Sequence, residues 1–387
     1  MTVMRFPSLA TRLITLGSLL LILPAAAFCT TIGLHGLATG WVTGNFKKLS
    51  DPFLGIRYIP EFTLKESLSP GLSLDFEISL NVFGTAQMHS FKDTQTDGDV
   101  DLYRMWGRLS TSRFEARIGL QKINFGSATL LRPLMWFDSI DPRDPLQLTD
   151  GVYALLFRYY FLNNANIWVW GLYGNDNLKG WDFFPSKPKS LEYGGRIQLP
   201  LGTGEWALTY HHRRMDPNMG PFDLAKNDSF VPEDRYALDG KWDVGIGLWF
   251  EGTLTHQRTD LLPSPWQRAI NVGLDYTFSL GNGLHALSET FFYTHSEKAF
   301  GSGESLTFSA LSLGYPLGLL DNLSCIFYYD WDNKGLYSFL NWRRTYDNWT
   351  INIIGFWNPE RFQIYQNLPE NSLYAGKGFQ IMVIFNY

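Results

Sequence analysis

The stretch Gly378-Phe-Gln-Ile-Met-Val-Ile-Phe-Asn-Tyr387 decides the fold class of this chain. Its apolar residues recur at every second position, and successive side chains of a β-strand point to opposite faces of a sheet. One face carries Phe379, Ile381, Val383, Phe385 and Tyr387, and the other carries Gly378, Gln380, Met382, Ile384 and Asn386. The pattern predicts a strand with one strongly apolar face and one mixed face.

The same alternation recurs along the chain, with charged residues on the second face. Between Leu74 and Val82 the apolar residues alternate with Asp75 and Glu77, and Asp239 lies in the middle of a similar stretch. An unpaired charge buried in a packed core costs several kcal/mol, whereas a water-filled lumen accommodates it. We therefore expect an all-β protein that forms a transmembrane antiparallel β-barrel.

The connections between these strands alternate in length, as the turns and loops of outer-membrane barrels do. Short turns are predicted at residues 67–71, 111–112, 163–164, 202–204, 244–245, 281–283, 317–322 and 347–348. Longer polar segments are predicted at residues 89–98, 126–149, 174–189, 216–232, 298–303 and 358–376. The strands between these breaks number about eighteen, with sixteen as the alternative count.

Composition supports the same class. The 387 residues are 45% hydrophobic and 16% aromatic but only 18% charged, where a soluble domain has about 25%. The mean hydropathy of −0.12 is too low for a bundle of membrane helices, and a barrel gives such a value because its two faces cancel. The net charge of −5 gives no indication of nucleic-acid binding.

The N-terminus has the features of an export signal. Arg5 and Arg12 precede and flank the short apolar run Leu13–Leu23, and Ala25–Ala27 provides small residues for cleavage. We expect residues 1–27 to be a signal peptide and residues 28–387 to form one barrel in the outer membrane of a Gram-negative cell, in contact with its lipid. Cys29 raises lipidation as an alternative, which the large Phe28 disfavours. The aromatic C-terminus, Tyr387, resembles the signal that the barrel assembly machinery recognises.

The most specific motif lies between Arg117 and Pro145. Its distinctive residues are Gly119, Gln121, Gly126, Arg132-Pro133, Asp138 and Asp141-Pro142-Arg143-Asp144-Pro145. This segment resembles the corresponding one of alginate-export-type porins and related Gram-negative barrels. That family has Arg where this chain has Leu120, with Lys122 as a nearby charge. The resemblance implies a solute channel or exporter.

The segment Gly126–Thr149 is predicted to leave the outer end of a strand. Its apolar run Leu130–Phe137 is unlike a solvated loop, and folding into the barrel would bury it. Arg132, Asp138, Asp141, Arg143 and Asp144 would then lie at a constriction of the channel. The alternative is an external loop that packs on its neighbours, with the Asp-Pro pairs serving as turns.

The alternation also predicts which charges face the lumen. The inward candidates are Arg104, Arg108, Arg117, Arg158, Arg196, Asp75, Glu77 and Asp239, together with Asp243, Glu251, Asp275 and Glu289. A wall of guanidinium groups favours an anionic or saccharide solute. Alternatively, these residues form salt bridges with one another across the wall and determine only the width of the lumen.

Enzyme signatures are weak in this chain. His211 and His212 are adjacent on a predicted strand and must face opposite ways, so they cannot share one lumen metal. The sequence has no nucleotide-binding loop, zinc spacing or nucleophile turn, and its two cysteines form no scaffold. We expect no enzyme activity, no cofactor and no metal. The leading hypothesis is an outer-membrane channel or export porin for polar solutes, and the alternative is a closed barrel with an adhesion, assembly or structural role.

Overall fold

The computed structural model describes residues 31–90, 93–218, 230–259, 262–360 and 374–387. Eighteen strands follow one another along the chain. They are β1 (Thr31–Asn45), β2 (Lys48–Ser69), β3 (Leu72–Ser90), β4 (Asp93–Thr111), β5 (Phe114–Gln121), β6 (Val152–Tyr160), β7 (Asn166–Tyr173), β8 (Leu191–Leu201), β9 (Gly204–Met215), β10 (Val231–Asp243), β11 (Gly247–Gln257), β12 (Trp266–Phe278), β13 (Leu284–Ser296), β14 (Gly303–Pro316), β15 (Asp321–Asp330), β16 (Gly335–Thr345), β17 (Trp349–Trp357) and β18 (Lys377–Asn386). The predicted leader and Cys29 lie outside the described residues. No helix within these ranges has the length and apolarity needed to cross a membrane.

Every strand pairs antiparallel with the next, and the first strand pairs with the last. The β1–β18 ladder runs from Leu37 opposite Asn386 to Asn45 opposite Gly378. The sheet therefore closes into an 18-stranded barrel, which removes the unpaired edges of an open sheet. The prediction of about eighteen strands is confirmed.

The two faces of the wall differ as the alternation predicts. On β12 the outward Ile270 and Val272 are 46% and 54% exposed, whereas the inward Asn271 between them has no exposed surface. On β18 the inward set is the one that contains Gln380 and Met382, and both side chains are buried. The outer surface is thus an apolar band, and the polar residues of the strands are collected inside.

The eight turns that follow the even-numbered strands are short and lie at one end of the barrel, which we call the short-turn end. The connections of 30, 17 and 15 residues after β5, β7 and β9 lie at the opposite, long-loop end. One predicted loop is wrong: most of residues 89–98 belongs to β3 and β4, which form a long hairpin. Along β4, pairing with β5 begins only at Met105, and residues 94–101 are exposed at every position, so this part of the hairpin carries no alternating pattern.

The inner wall is divided into a charged part and an aromatic part. Arginine and carboxylate side chains line much of β3 to β10. Large apolar side chains line β11 to β17, namely Trp249, Phe291, Tyr293, Phe308, Tyr328, Tyr337, Phe339 and Phe356. Aromatic rings facing a lumen need apolar contacts, and those contacts come from the segment between β5 and β6 and from Trp181 in the β7–β8 connection, whose ring stacks on Phe291.

Candidate functional site

The connection between β5 and β6 turns into the barrel immediately after β5. Gly126 has a φ of 97° and lies against the inner wall of β11. The left-handed backbone conformation favours glycine, and a Cβ at this position would lie 2.3 Å from the Glu251 Oε1 atom and displace that carboxylate. We call residues 126–149 the lumen segment.

Residues on both sides of the tip of the lumen segment pack on the inner faces of β7 to β10. The Phe125 ring stacks on Trp170 with 5.8 Å between ring centres, and Phe137 meets the same indole edge-on at 5.5 Å. His211 lies beside both Phe137 and Trp136, with ring centres 4.9 and 6.1 Å away. These contacts hold the chain before and after the tip, at Phe125 and at Trp136 and Phe137, against the wall near β5.

The tip of the segment is held by two carboxylates on the far wall. Glu289 on β13 accepts hydrogen bonds from the backbone amides of Thr129, Leu130 and Leu131, at 2.6, 3.0 and 2.6 Å. Glu251 on β11 accepts one from the Ala128 amide at 2.7 Å. Asn271 on β12 donates to the Leu131 carbonyl at 2.8 Å. Because β13 lies eight strands from β5 in a ring of eighteen, the segment crosses the lumen.

The apolar run of the segment fills the space in front of the aromatic wall. Leu130, Leu131 and Met135 belong to one buried cluster with Phe291 and Tyr328. Full burial of such an aliphatic side chain contributes about 1.5–3 kcal/mol to stability. The aromatic rings of β11 to β17 and the apolar side chains of the lumen segment therefore bury each other's surfaces.

The second half of the segment returns along the remaining strands. The Arg143 guanidinium lies over the rings of Phe339 and Tyr374, at 5.5 and 5.7 Å from their centres. Leu146 packs beside the cluster of Trp41, Met382 and Ile384 on β1 and β18. At the end, the Thr149 carbonyl accepts a hydrogen bond of 2.8 Å from Arg104 on β4. The segment thus contacts the wall on most sides of the lumen.

The predicted constriction residues lie within this segment, but most of their charges are paired with each other. Arg132 donates two hydrogen bonds to Asp138, at 2.9 and 3.0 Å, and their side chains are only 8% and 1% exposed. Arg143 forms an ion pair with Asp141, and Asp144 accepts a hydrogen bond from the Leu146 amide. These groups brace the segment rather than line an open channel with free charge.

Lys122 is the charged residue near Leu120, the position at which the alginate-export-type family has Arg. It lies at the start of the connection between β5 and β6. Burial lowers the pKa of its ammonium group, and the negative charge of Asp138 opposes that shift. Lys122 is therefore an electrostatic neighbour of the Arg132–Asp138 pair.

The predicted wall charges fall into two groups, which differ in their access to the lumen. Arg196 makes two hydrogen bonds to Asp239, at 2.6 and 2.7 Å, and both side chains are buried. Arg104 is also buried and donates to backbone carbonyls, while Glu77 is half-buried on the inner face of β3. For Arg196 and Asp239, the structure shows the alternative of pairing across the wall.

The second group forms what we call the arginine cluster, which consists of Arg108, Arg117, Arg158 and Glu115. One Glu115 oxygen lies 3.0 Å from Arg117 and 3.5 Å from Arg158, and its other oxygen lies 3.8 Å from Arg108. Arg108 also pairs with Asp75 at 2.7 Å. The three arginine side chains remain 29%, 15% and 16% exposed, so they are accessible from the lumen.

Two indole rings support the arginine cluster. The Arg158 guanidinium lies 3.8 Å from the centre of the Trp168 ring, and that of Arg117 lies 4.6 Å from the centre of Trp106. Such stacking restrains a guanidinium without neutralising it. The cluster has three arginines around Glu115, and the carboxylates of Asp75 and Glu77 lie beside it.

A further network on the inner wall was not predicted from the sequence. Arg213 and Arg235 both contact Glu233 and Asp182, which comes from the β7–β8 connection. Trp181, the residue before Asp182, donates a hydrogen bond of 2.9 Å from its indole to the Arg132 carbonyl. This bond links the β7–β8 connection to the lumen segment. Their shared partner Asp182 lies outside any strand, so alternation along the strands could not place it beside Arg213 and Arg235.

His211 and His212 face opposite sides of the wall, as the alternation predicts. His211 is buried inside and bonds Glu192 and Trp170, whereas His212 lies on the outer face beside Asp234. Among the residues that the structure describes, no group of three or more His, Cys, Asp or Glu side chains is arranged to hold a metal ion.

Comparisons with known proteins define the fold. No family model and no curated protein matches the chain. Among solved structures, the in-vitro folded trimer form of OmpT, an outer membrane protein of Vibrio cholerae, matches with 12% identity and a TM-score of 0.51, over 92% of this chain and 99% of that one. The anion-selective porin of Comamonas acidovorans matches with 12% identity and a TM-score of 0.48, over 92% of this chain and 100% of that one. The chain thus has the fold of an outer-membrane porin-like β-barrel.

Proposed function

We propose that this barrel is a channel in the outer membrane of a Gram-negative cell and that the lumen segment sets its bore. The observation that carries the proposal is the crossing of the lumen by that segment, anchored at Glu251 and Glu289. A segment held inside the wall narrows the passage without breaking the strand ladder. The signal-peptide features of residues 1–27 and the aromatic terminus at Tyr387 support export and insertion by the barrel assembly machinery.

The solute that fits this channel best is a polar anion, such as a carboxylated saccharide. The support is the arginine cluster, because guanidinium groups bind carboxylate and phosphate oxygens in pairs. The indole rings of Trp106 and Trp168 add flat apolar surfaces next to these charges. The resemblance of the Arg117–Pro145 motif to alginate-export-type porins agrees with an anionic sugar, and no catalytic step is proposed.

Planar-bilayer recording of the purified protein tests the channel proposal. We expect discrete conductance steps, and addition of an oligomeric uronate should reduce the current in a concentration-dependent way. A neutral oligosaccharide of equal length is the control, since it tests blockage by size alone. A bilayer that stays sealed while the protein is folded would overturn the proposal.

The selectivity should depend on the arginine cluster. Changing Arg117 and Arg158 to Ser should lower the anion-to-cation permeability ratio several-fold, because two lumen-accessible positive charges are lost. The ratio is obtained from the reversal potential in a salt gradient. Arg113→Ser is the matched control, because Arg113 is exposed in the turn between β4 and β5. An unchanged ratio in the double variant would make the cluster purely structural.

A closed barrel with an adhesion, assembly or structural role is the second candidate. It is favoured by the packing of the lumen segment, in which Leu130, Leu131 and Leu134 are almost completely buried. A segment with this degree of burial is packed like the hydrophobic core of a protein, and a closed barrel is filled in this way. The bilayer recording separates the two candidates, since a closed barrel gives no steps.

A further inference from the structure

The outer surface of β7 to β12 contains an apolar groove that the channel proposal does not use. The groove encloses about 830 Å³ and is lined by outward side chains such as Ile197, Leu208, Leu238 and Ile270. It exists because Gly252 on β11 and Gly195 on β8 place no side chain on this face. An added Cβ at Gly252 would meet only the Leu238 carbonyl, at 3.8 Å, so the space beside it is free.

The groove continues toward the long-loop end into a row of polar and aromatic side chains. Strand register aligns Tyr193, His212, Asp234, His256 and Trp266 directly across five neighbouring strands. Asp234 accepts hydrogen bonds from Tyr210 and His212, at 2.8 and 2.9 Å. His256 stacks on Trp266 with 3.9 Å between ring centres. Tyrosine, tryptophan and histidine at this level match the boundary between acyl chains and headgroups.

Cationic side chains form the next row toward the rim. Backbone hydrogen bonds place Lys187 beside Arg214, and Arg258 beside Pro232, which is opposite Arg214. The Arg214 guanidinium lies 4.6 Å from the centre of the Phe230 ring, and Lys187 Nζ lies 5.9 Å from the same centre. Arg258 pairs with Asp234 yet remains 57% exposed, so its guanidinium can bind a second anion.

From this arrangement we infer that the groove and the cationic row bind a phosphorylated, multiply acylated glycolipid of the outer leaflet. Its acyl chains would fill the groove, and its phosphates would contact Arg214, Arg258 and Lys187. Arginine binds phosphate through paired hydrogen bonds, and a basic surface above an apolar one matches the order of phosphate and chains in such a lipid. A second copy of the chain fits less well, because it would bring the same positive charges to the same face. The inference rests on the proposed outer-membrane location but not on channel activity.

Native mass spectrometry of the purified barrel with diphosphorylated, hexa-acylated lipid A tests the inference. We expect a bound lipid A, with several-fold weaker binding of the same lipid after removal of its phosphates. Arg214→Ser combined with Arg258→Ser should remove this phosphate preference. Gly252→Leu should weaken binding of both lipids, since the new side chain occupies the groove. Planar-bilayer conductance of the same variants should be unchanged, so failure of lipid binding and failure of the channel are distinguished.

Two matched controls complete the experiment. Gly355→Leu adds the same side chain at an outward glycine of β17 with open space around it, and Lys334→Asn removes an exposed charge from the same end of the barrel. Neither should alter lipid A binding. Equal binding of both lipids, or unchanged binding in the groove and arginine variants, would overturn the inference. If Gly252→Leu instead separated oligomers into monomers without affecting lipid A, the groove would be a subunit interface and the inference would be wrong.

Discussion

Deleting Ser127–Pro145 should raise the single-channel conductance several-fold. The deletion removes the part of the lumen segment that crosses to β13, and residues 122–126 and 146–151 still connect the neighbouring strands β5 and β6. The strand ladder makes no use of the deleted residues, so the barrel should still close. Recording in planar bilayers at fixed salt measures the change. A folded barrel with wild-type conductance would show that the segment does not limit the current.

The deletion also has an expected cost in stability. It exposes the aromatic wall to water, including Trp249, Phe291 and Tyr328, each of which is buried against its neighbours in the intact barrel. The variant should therefore unfold at a lower temperature, which can be followed by the loss of the compact band on unboiled gels. Normal β-sheet circular dichroism at the recording temperature is the control for folding.

Replacing Glu289 with Ala should release the tip of the lumen segment. The amides of Thr129, Leu130 and Leu131 then lose their acceptor, and each of the two buried ones, those of Leu130 and Leu131, costs about 1–3 kcal/mol when unsatisfied. We expect a fluctuating, larger current in place of steady steps. Trypsin should also cleave faster after Arg143, whose side chain is enclosed while the segment is docked.

Two variants make the result specific to the Glu289 carboxylate. Glu289→Gln keeps the size and one acceptor oxygen but loses the charge, so its effect should be intermediate. Glu304→Ala removes an exposed carboxylate at the start of β14 and should leave both current and proteolysis unchanged. Steady steps in Glu289→Ala would mean that apolar packing alone holds the tip.

The strands could be predicted from the sequence wherever their two faces differ in polarity, because apolar and polar residues then alternate along the strand. The faces of β18 and the positions of the eight short turns follow from alternation and turn residues alone. Alternation fails in the β3–β4 hairpin, where residues 94–101 are exposed at every position and mostly polar. It is also weak in β13 to β16, because the inner face there carries rings such as Phe291 and Phe339 while the outer face is apolar as well.

The site could be predicted only in outline. The composition of Leu130–Phe137 indicated a need for burial, and the alternation indicated that Glu251 and Glu289 face inward. Their contact with the segment could not be predicted, because Ala128 and Glu251 are 123 residues apart and no local pattern relates them. The Arg132–Asp138 pair likewise depends on the path of an irregular segment. The inner aromatic rings pack against the apolar lumen segment. In the sequence, however, each of the two is an ordinary apolar stretch that gives no sign of the other.

The anchoring of the segment also bears on how the barrel is made. Thr129 and its partner Glu289 are separated by 160 residues, and contacts between such distant residues form late because the intervening chain loses entropy when they meet. Docking on β13 must wait until that strand is in place, and a barrel whose wall closes before docking has a wide lumen until the segment docks. A cell making this protein would be briefly leaky at each insertion event. Variants that dock slowly should therefore make growing cells more sensitive to large polar antibiotics than resting cells.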